Sequence, residues 1–293
     1  MSSPFVRRRR LADELRTLRE EHDLTADELA KRIHYSRMKI SRLENAHGRP
    51  DVRHVVKILD TLGVKEPKWA EMIRLATEAS EKGWWDRYGD SMGPRQKLYA
   101  DLESGANSIC DYDPTGIPAV LQTPEFINAL IRLDKANRPI KYVPARVAQA
   151  REHRRRTLLR PHGPAYDTVV DEFVIFRLDI PSEVMAAQLR HMVEVVLSEP
   201  QLTVRLLRYN ARISGGLLPK SSFALYTFPD PQDSPMAVVE TITTDLVHTE
   251  QQEVARYTGD YKRLQEAALS PDESLAFLAE TAERISDGMV QAI

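Results

Sequence analysis

An all-α module followed by an α+β domain is the architecture this 293-residue sequence predicts. The first would span residues 1–82 with five short helices, the second residues 83–293 with a small, mainly antiparallel sheet. Three observations carry the prediction. Apolar residues recur at helical spacing, interrupted by capping residues, through the first 82 positions. Short β-rich runs appear only beyond residue 167. Domains usually hold roughly 100–200 residues, so the length favours two.

Leu11, Leu15 and Leu18 mark one face of a helix from Val6 to about His22. Asp23-Leu24-Thr25 breaks it. Thr25 with Glu28 has the capping-box pattern of a second helix, which carries Leu29, Ala30 and Ile33. His34-Tyr35 is a turn, and Ser36 is the N-cap of a third helix from Arg37 to about Asn45, with Ile40 and Leu43 inward. After Gly48-Arg49-Pro50, Asp51 caps a fourth helix bearing Val52, Val55, Val56, Leu59 and Leu62, and Gly63 ends it. Pro67 opens a fifth, reaching about Lys82. The stretch from Gly83 to Pro94 reads as a loop and sets the domain boundary. Further helices are expected at 98–107, 124–133 and 143–159, with an irregular stretch around Pro114, Gly116 and Pro118. Strands are expected at 168–176, 202–209, 223–228 and 237–242, with a helix at 182–197 between the first two. Helices at 249–268 and 271–285 complete the chain.

Composition excludes several classes. Hydrophobic residues make up 42% and charged residues 29%, which is enough apolar content for a packed core. Cys110 is the only cysteine, so an intramolecular disulfide and a multi-cysteine zinc site are both excluded, and a reducing cytoplasm is the expected location. No apolar run approaches the roughly 18–20 residues of a membrane helix. The Arg7–Arg10 run imitates the start of an export signal, but Leu11-Ala12-Asp13-Glu14 is too charged to continue one. Residues 1–60 carry 14 Lys and Arg against 10 Asp and Glu, whereas the remainder carries 27 against 33. A basic first segment on an acidic remainder fits a nucleic-acid-binding module joined to a larger domain.

Residues 24–45 have the layout of a helix-turn-helix, in which a second short helix lies in the major groove of DNA. With Ile40 and Leu43 buried, a helical wheel turns Met38 and Asn45 nearly opposite, with Ser41 and Arg42 beside them. Arg37, Met38, Ser41 and Arg42 are the candidate base readers: arginine bonds guanine O6 and N7, serine donates or accepts, and methionine meets a thymine methyl. Thr25, Lys31, Ser36, Lys39, Asn45 and Arg49 are candidates for gripping phosphates, which positions the helix without specifying sequence.

Residues 7–82 resemble the Xre-type, phage-repressor-like helix-turn-helix domain. The resemblance rests on Leu15-Arg16-Thr17-Leu18-Arg19-Glu20, Leu24-Thr25, Glu28-Leu29-Ala30, Ser36 and Ile40-Ser41-Arg42-Leu43-Glu44. It implies a lambda-repressor-like five-helix fold, double-stranded DNA as partner, and a structural ion pair between Arg16 and Glu44. The sequence departs from that pattern twice. Ala26 stands where the family has a backbone-touching glutamine, and His34 stands where the turn usually has a glycine of positive φ. Further along, Gly83-Trp84-Trp85, Ile117 to Thr123, Arg146 to Leu159 and Met236 to Ala268 are similar to actinobacterial regulators that couple this domain to a C-terminal domain of undefined activity. Some of those act in Streptomyces development and antibiotic control. That likeness implies a transcriptional regulator and admits a small acidic partner protein.

Catalytic constellations are not found: there is no Gly-x-Ser-x-Gly elbow, no phosphate loop and no dinucleotide fingerprint. The eight histidines are scattered, and neither His47 with His54 nor His153 with His162 has metal-ligand spacing. No cofactor or metal is expected. Asp171 and Glu172, adjacent in an expected strand, would point to opposite faces. Arg151, Arg154, Arg155, Arg156 and Arg160 form a basic run on one helix, either a solvated face or a site for an anionic ligand or acidic partner; Arg151, Arg154 and Arg155 are its candidate contacts. Trp84, Trp85 and Tyr88 are expected to pack the junction between domains or to contact a ligand. The reading is a cytoplasmic regulator, a homodimer on an inverted repeat, whose second domain senses a small molecule. Control by a partner protein, and a DNA-targeted enzyme, are the alternatives.

Overall fold

Four side-chain caps fix where the first helices begin. In the computed structural model, which describes residues 2–137, 143–215 and 218–289, helix α1 spans Pro4–Glu21 from an N-cap at Ser3. Helix α2 (Ala26–Arg32) starts at Thr25, whose hydroxyl accepts the Glu28 N–H while the Glu28 carboxylate takes the Thr25 N–H, a complete capping box. Ser36 caps α3 (Arg37–Glu44) and Asp51 caps α4 (Val52–Thr61). Such caps contribute typically ~1 kcal/mol each by satisfying amides that the helix leaves open. Helix α5 spans Lys68–Ser80.

The C-terminal ends of α1 to α4 share one device. Asp23, His34, Ala46 and Gly63 take positive φ, between 52° and 67°. At each, two amides turn back onto the last helical turn: His34 N–H reaches the Lys31 carbonyl at 3.2 Å and Tyr35 N–H the Ala30 carbonyl at 2.8 Å. These are Schellman turns, and only one of the four uses glycine. The sharp reversals bring α1, α2, α3, α4 and α5 around one core of Leu11, Leu15, Leu29, Ile33, Ile40, Val55, Leu59 and Met72.

By compactness the chain forms two units. The first joins residues 1–87 with 97–105 and 229–234, so it also takes most of helix α6 (Pro94–Gly105) and exceeds five helices. The second comprises residues 88–96, 106–228 and 235–293. Two short 3₁₀ segments, broken by a kink at Gly89 with φ 51°, cover Trp84–Ser91, in place of the expected loop.

The sheet of the second unit corrects the expected antiparallel arrangement. Its strands are β1 (Ser108–Asp113), β2 (Ala165–Asp171), β3 (Leu202–Leu207), β4 (Phe223–Thr227), β5 (Met236–Glu240) and β6 (Asp245–His248). They lie in the order β3-β2-β1-β4-β5-β6; β3, β2 and β1 run parallel and β1, β4, β5 and β6 antiparallel. The parallel half follows from helical crossovers between β1, β2 and β3: α7 (Pro124–Asn137) and α8 (Pro144–Leu158), then α9 (Phe173–Arg177) and α10 (Ser182–Ser198). Helix α11 (Gln251–Ala267) covers one sheet face, where Tyr261 and Leu264 meet Tyr112, Val169, Phe223, Leu225 and Val239. Helix α12 (Pro271–Ser286) packs on α10 and β3.

The expected strand at 168–176 is also corrected. It ends at Asp171 and turns into α9, so Glu172 is a helix cap and not a strand residue. Asp171 accepts the Phe173 N–H at 3.0 Å, and Glu172 accepts Arg208 Nε at 2.8 Å and the Tyr209 N–H at 2.9 Å. Both carboxylates serve the turn.

Candidate nucleic-acid interface

The α2–turn–α3 segment is clamped from behind. Arg19 on α1 forms a two-pronged pair with the Glu44 carboxylate, Nε to Oε1 at 2.7 Å and Nη2 to Oε2 at 3.0 Å, and donates to the Leu24 carbonyl at 2.6 Å. Both side chains are buried. The hydrogen bond to Glu44 is the chief cause of a raised Arg19 pKa, so the cation stays charged. This corrects the expected Arg16–Glu44 ion pair. Arg16 donates instead to the Glu44 main-chain carbonyl, at the C-terminal end of α3. Arg16 and Arg19 are three residues apart on one face, and the reach to the carboxylate decides between them.

With Ile40 buried inward and Leu43 partly buried, α3 presents Arg37, Met38, Lys39, Ser41, Arg42 and Asn45 to solvent. Met38 is 71% exposed. The Arg37 and Arg42 side chains make no hydrogen bond or ion pair among the described residues. Ser41 Oγ lies 3.3 Å from Asn45 Nδ2, which also donates to the Ser41 carbonyl at 2.6 Å. Lys39 and Lys57 both stand 4.9 Å from the Tyr35 ring centroid, a cation–π pair that lines up two ammonium groups.

The other expected phosphate contacts divide into two groups. Ser36 accepts the Lys39 N–H at 3.4 Å through its oxygen, which leaves the hydroxyl proton to donate. Thr25 gives its proton to Glu28 at 2.7 Å, Lys31 pairs with Asp27 at 3.0 Å, and Arg49 holds Asp86 at 2.5 Å. For these three, a phosphate would have to compete with an internal carboxylate. His34 takes φ 57°, the backbone that the turn requires.

Not every basic residue faces outward. Arg7 and Arg10 of α1 are buried. Arg7 reaches Glu78 at 2.7 Å, Asp230 at 2.8 Å and Asp233 at 3.0 Å. Arg10 reaches Glu71 at 2.8 Å and Asp230 at 2.9 Å, and Gln232 through its amide oxygen. The Arg7 hydrogen bond lowers the Asp230 carboxyl to about 2, whereas burial raises that of Asp233. Sequence reasoning missed this cluster, because its acids lie up to 226 positions away from Arg7.

Trp84 and Trp85 pack edge to face with centroids 5.9 Å apart. A Cβ at position 83 would sit 2.1 Å from the Trp85 ring, so glycine is required there. In the second unit, the Tyr88 ring meets His153 edge-on at 6.3 Å. Of the basic run, Arg151 and Arg155 line a cavity of about 130 Å³ with Gln122, Asn128, Glu152 and His191. His191 is a residue the sequence did not mark. Trp84, Trp85, Tyr88 and Arg154 do not figure among the described residues lining it; the Arg154 charge acts on Glu240.

A capped helix pair, clamped from behind and turning unmatched cations outward, is the apparatus of a DNA-binding regulator of the helix-turn-helix class. A family model described as "Helix-turn-helix domain" matches residues 10–72. A second, described as "Domain of unknown function (DUF5753)", matches residues 96–280, which is more than half of the chain. The chain belongs to the family defined by that second domain. No curated protein and no solved structure matches it. No described helix is long and apolar enough to cross a membrane.

Proposed function

We propose that this chain is a sequence-specific transcriptional regulator of the Xre type, which inserts α3 into the major groove of double-stranded DNA and performs no catalysis of its own. The observation that carries the reading is the outward face of α3. Arg37 and Arg42 stand exposed and unmatched on a helix whose far side is fixed by the Arg19–Glu44 pair. Arg37, Met38, Ser41 and Arg42 read base edges, while Ser36, Lys39 and Asn45 hold the backbone. One eight-residue helix spans few base pairs, so two copies act together on an inverted repeat with recognition helices about 34 Å apart. The second unit senses a small ligand, a reading supported by the cavity at Arg151 and Arg155.

Capture of genomic fragments by the full-length protein at near-physiological salt, followed by sequencing, tests the reading. A shared inverted repeat beside promoters is the expected result. Uniform binding along the genome, lost steeply as salt rises, would show that only phosphates are contacted and would overturn sequence-specific recognition.

A further inference from the structure

We infer that the cavity between α7, α8 and α10 is a binding site for a small organic oxyanion, a carboxylate or phosphate group carried on a few apolar carbons. The inference deepens the ligand-sensing reading and rests on it for its regulatory meaning.

The construction begins with spacing. Arg151 and Arg155 are four residues apart on α8 and project from one helical face, and Ala148, one turn earlier, leaves room beside them. Gln122 holds Arg151 through its amide oxygen at 2.7 Å and is itself anchored to the Ile117 carbonyl at 2.7 Å. The 117–123 segment is fixed in turn to α10. There the fully buried Gln188 accepts the Thr123 N–H at 2.8 Å and donates to the Leu121 carbonyl at 2.6 Å. The wall is therefore organised before any ligand arrives, which lowers the ordering cost of binding.

Two groups in this wall have no hydrogen-bond partner. Arg155 Nε and His191 Nε2 are shielded from solvent, and neither makes a hydrogen bond among the described residues. Native interiors leave few such atoms unpaired. The nearest carboxylate to the Arg155 guanidinium is that of Glu152 at 4.0 Å, and Glu152 lies closer to Arg156, at 2.8 Å. An oxyanion seated between Arg155 and His191 would accept from both. Ala119, Pro124 and Ile127 supply the apolar part of the wall. The volume of about 130 Å³ is close to that of a cavity that admits a benzene-sized molecule, which suits a headgroup with a short tail.

Charge gives the site a direction in pH. Burial first, and then the Arg155 charge, hold the His191 imidazole below its ordinary value, while Glu194 of α10 and Glu125 of α7 act the other way. Arg151 and Glu152 face it from α8 in the same cavity. A bound anion would favour the imidazolium, so binding takes up a proton and tightens as pH falls through the titration range of His191.

The full chain, titrated with inorganic phosphate and separately with butyrate, provides the test, by calorimetry and by the ring resonances of His191 assigned with His191→Gln. Saturable one-site binding is expected, with the His191 titration midpoint moving upward; the tighter of the two probes identifies the headgroup. Arg155→Gln should weaken binding about tenfold or more. Ala148→Leu, which fills the cavity without removing a charge, should abolish it. Arg146→Gln, exposed on α8 away from the cavity, should leave it unchanged. The site is refuted by non-saturable binding, an unmoved His191 midpoint, or equal loss in Arg146→Gln. Operator affinity with and without the saturating probe is measured separately. Binding without an effect on DNA would keep the site and overturn its sensing role.

Discussion

Helices α1 and α3 belong to one unit and are both rich in arginine, yet their cations have opposite surroundings. On α1, Arg7 and Arg10 are buried against Glu71, Glu78, Asp230 and Asp233, and Arg19 is held by Glu44. On α3, Arg37 and Arg42 are exposed and have no acidic partner among the described residues. A guanidinium already matched by carboxylates has no free edge for guanine or phosphate. Density of basic residues in a sequence therefore says little about where nucleic acid binds; the distribution of the acids decides it.

Substitutions break this comparison on either side. The largest effect is expected at the clamp. Glu44→Ala strands the buried Arg19 charge and should destabilise the helical unit by about 3 kcal/mol, seen as an earlier urea transition. The double change Arg19→Met with Glu44→Leu should recover most of that loss, and Arg37→Ala should cost under about 0.5 kcal/mol. DNA binding should respond in the reverse pattern. Arg42→Ala should lose about 1–3 kcal/mol of discrimination at one base pair, and Lys39→Ala should weaken all sequences alike and lower the salt slope by about 1, measured by fluorescence anisotropy at several salt concentrations.

Acid titration sharpens the comparison further. Asp230, held at about 2 by Arg7, has a folded value below its unfolded one. Its contribution is complete above about pH 4 and is lost as pH falls through about 2. Asp233, raised by burial, opposes this, because its ionisation costs stability as pH rises. Asp230→Asn should therefore cost about 1–2 kcal/mol at neutral pH, with the difference vanishing near pH 2 in chemical unfolding curves. The smallest effect is expected in the turn. His34→Gly relieves a side chain at φ 57° and should add about 0.5–1 kcal/mol without changing operator affinity.

Local chemistry was legible in the sequence and distant pairing was not. Thr25, Ser36 and Asp51 marked helix starts because an N-cap acts within three residues, and the structure begins α2, α3 and α4 directly after them. The solvent face of α3 followed from Ile40 and Leu43 alone. Strand β1 went unseen because Asp111 and Asp113 are poor strand residues. Their carboxylates are accommodated by hydroxyls from elsewhere, Tyr166 at 3.0 Å and Ser222 at 3.0 Å. Without β1 its parallel pairing with β2 could not be anticipated, although the expected strand–helix–strand run of β2, α10 and β3 already carried the pattern of a parallel pair. His191 carried no signal at all, since a lone histidine on an amphipathic helix has no motif; only the approach of α8 and α10 gives it neighbours.

Residues 229–234 leave β4, join the first unit and return to β5. Helix-turn-helix modules are commonly treated as cassettes that recombination can move between genes at a single breakpoint. Here a breakpoint after residue 87 would carry Arg7 and Arg10 away and leave Asp230, Gln232 and Asp233 behind. The transplanted module would then hold two buried guanidiniums with half their counter-charge. A working exchange of the DNA-binding half would therefore need a recipient whose β4–β5 connection supplies acids in place of Asp230 and Asp233.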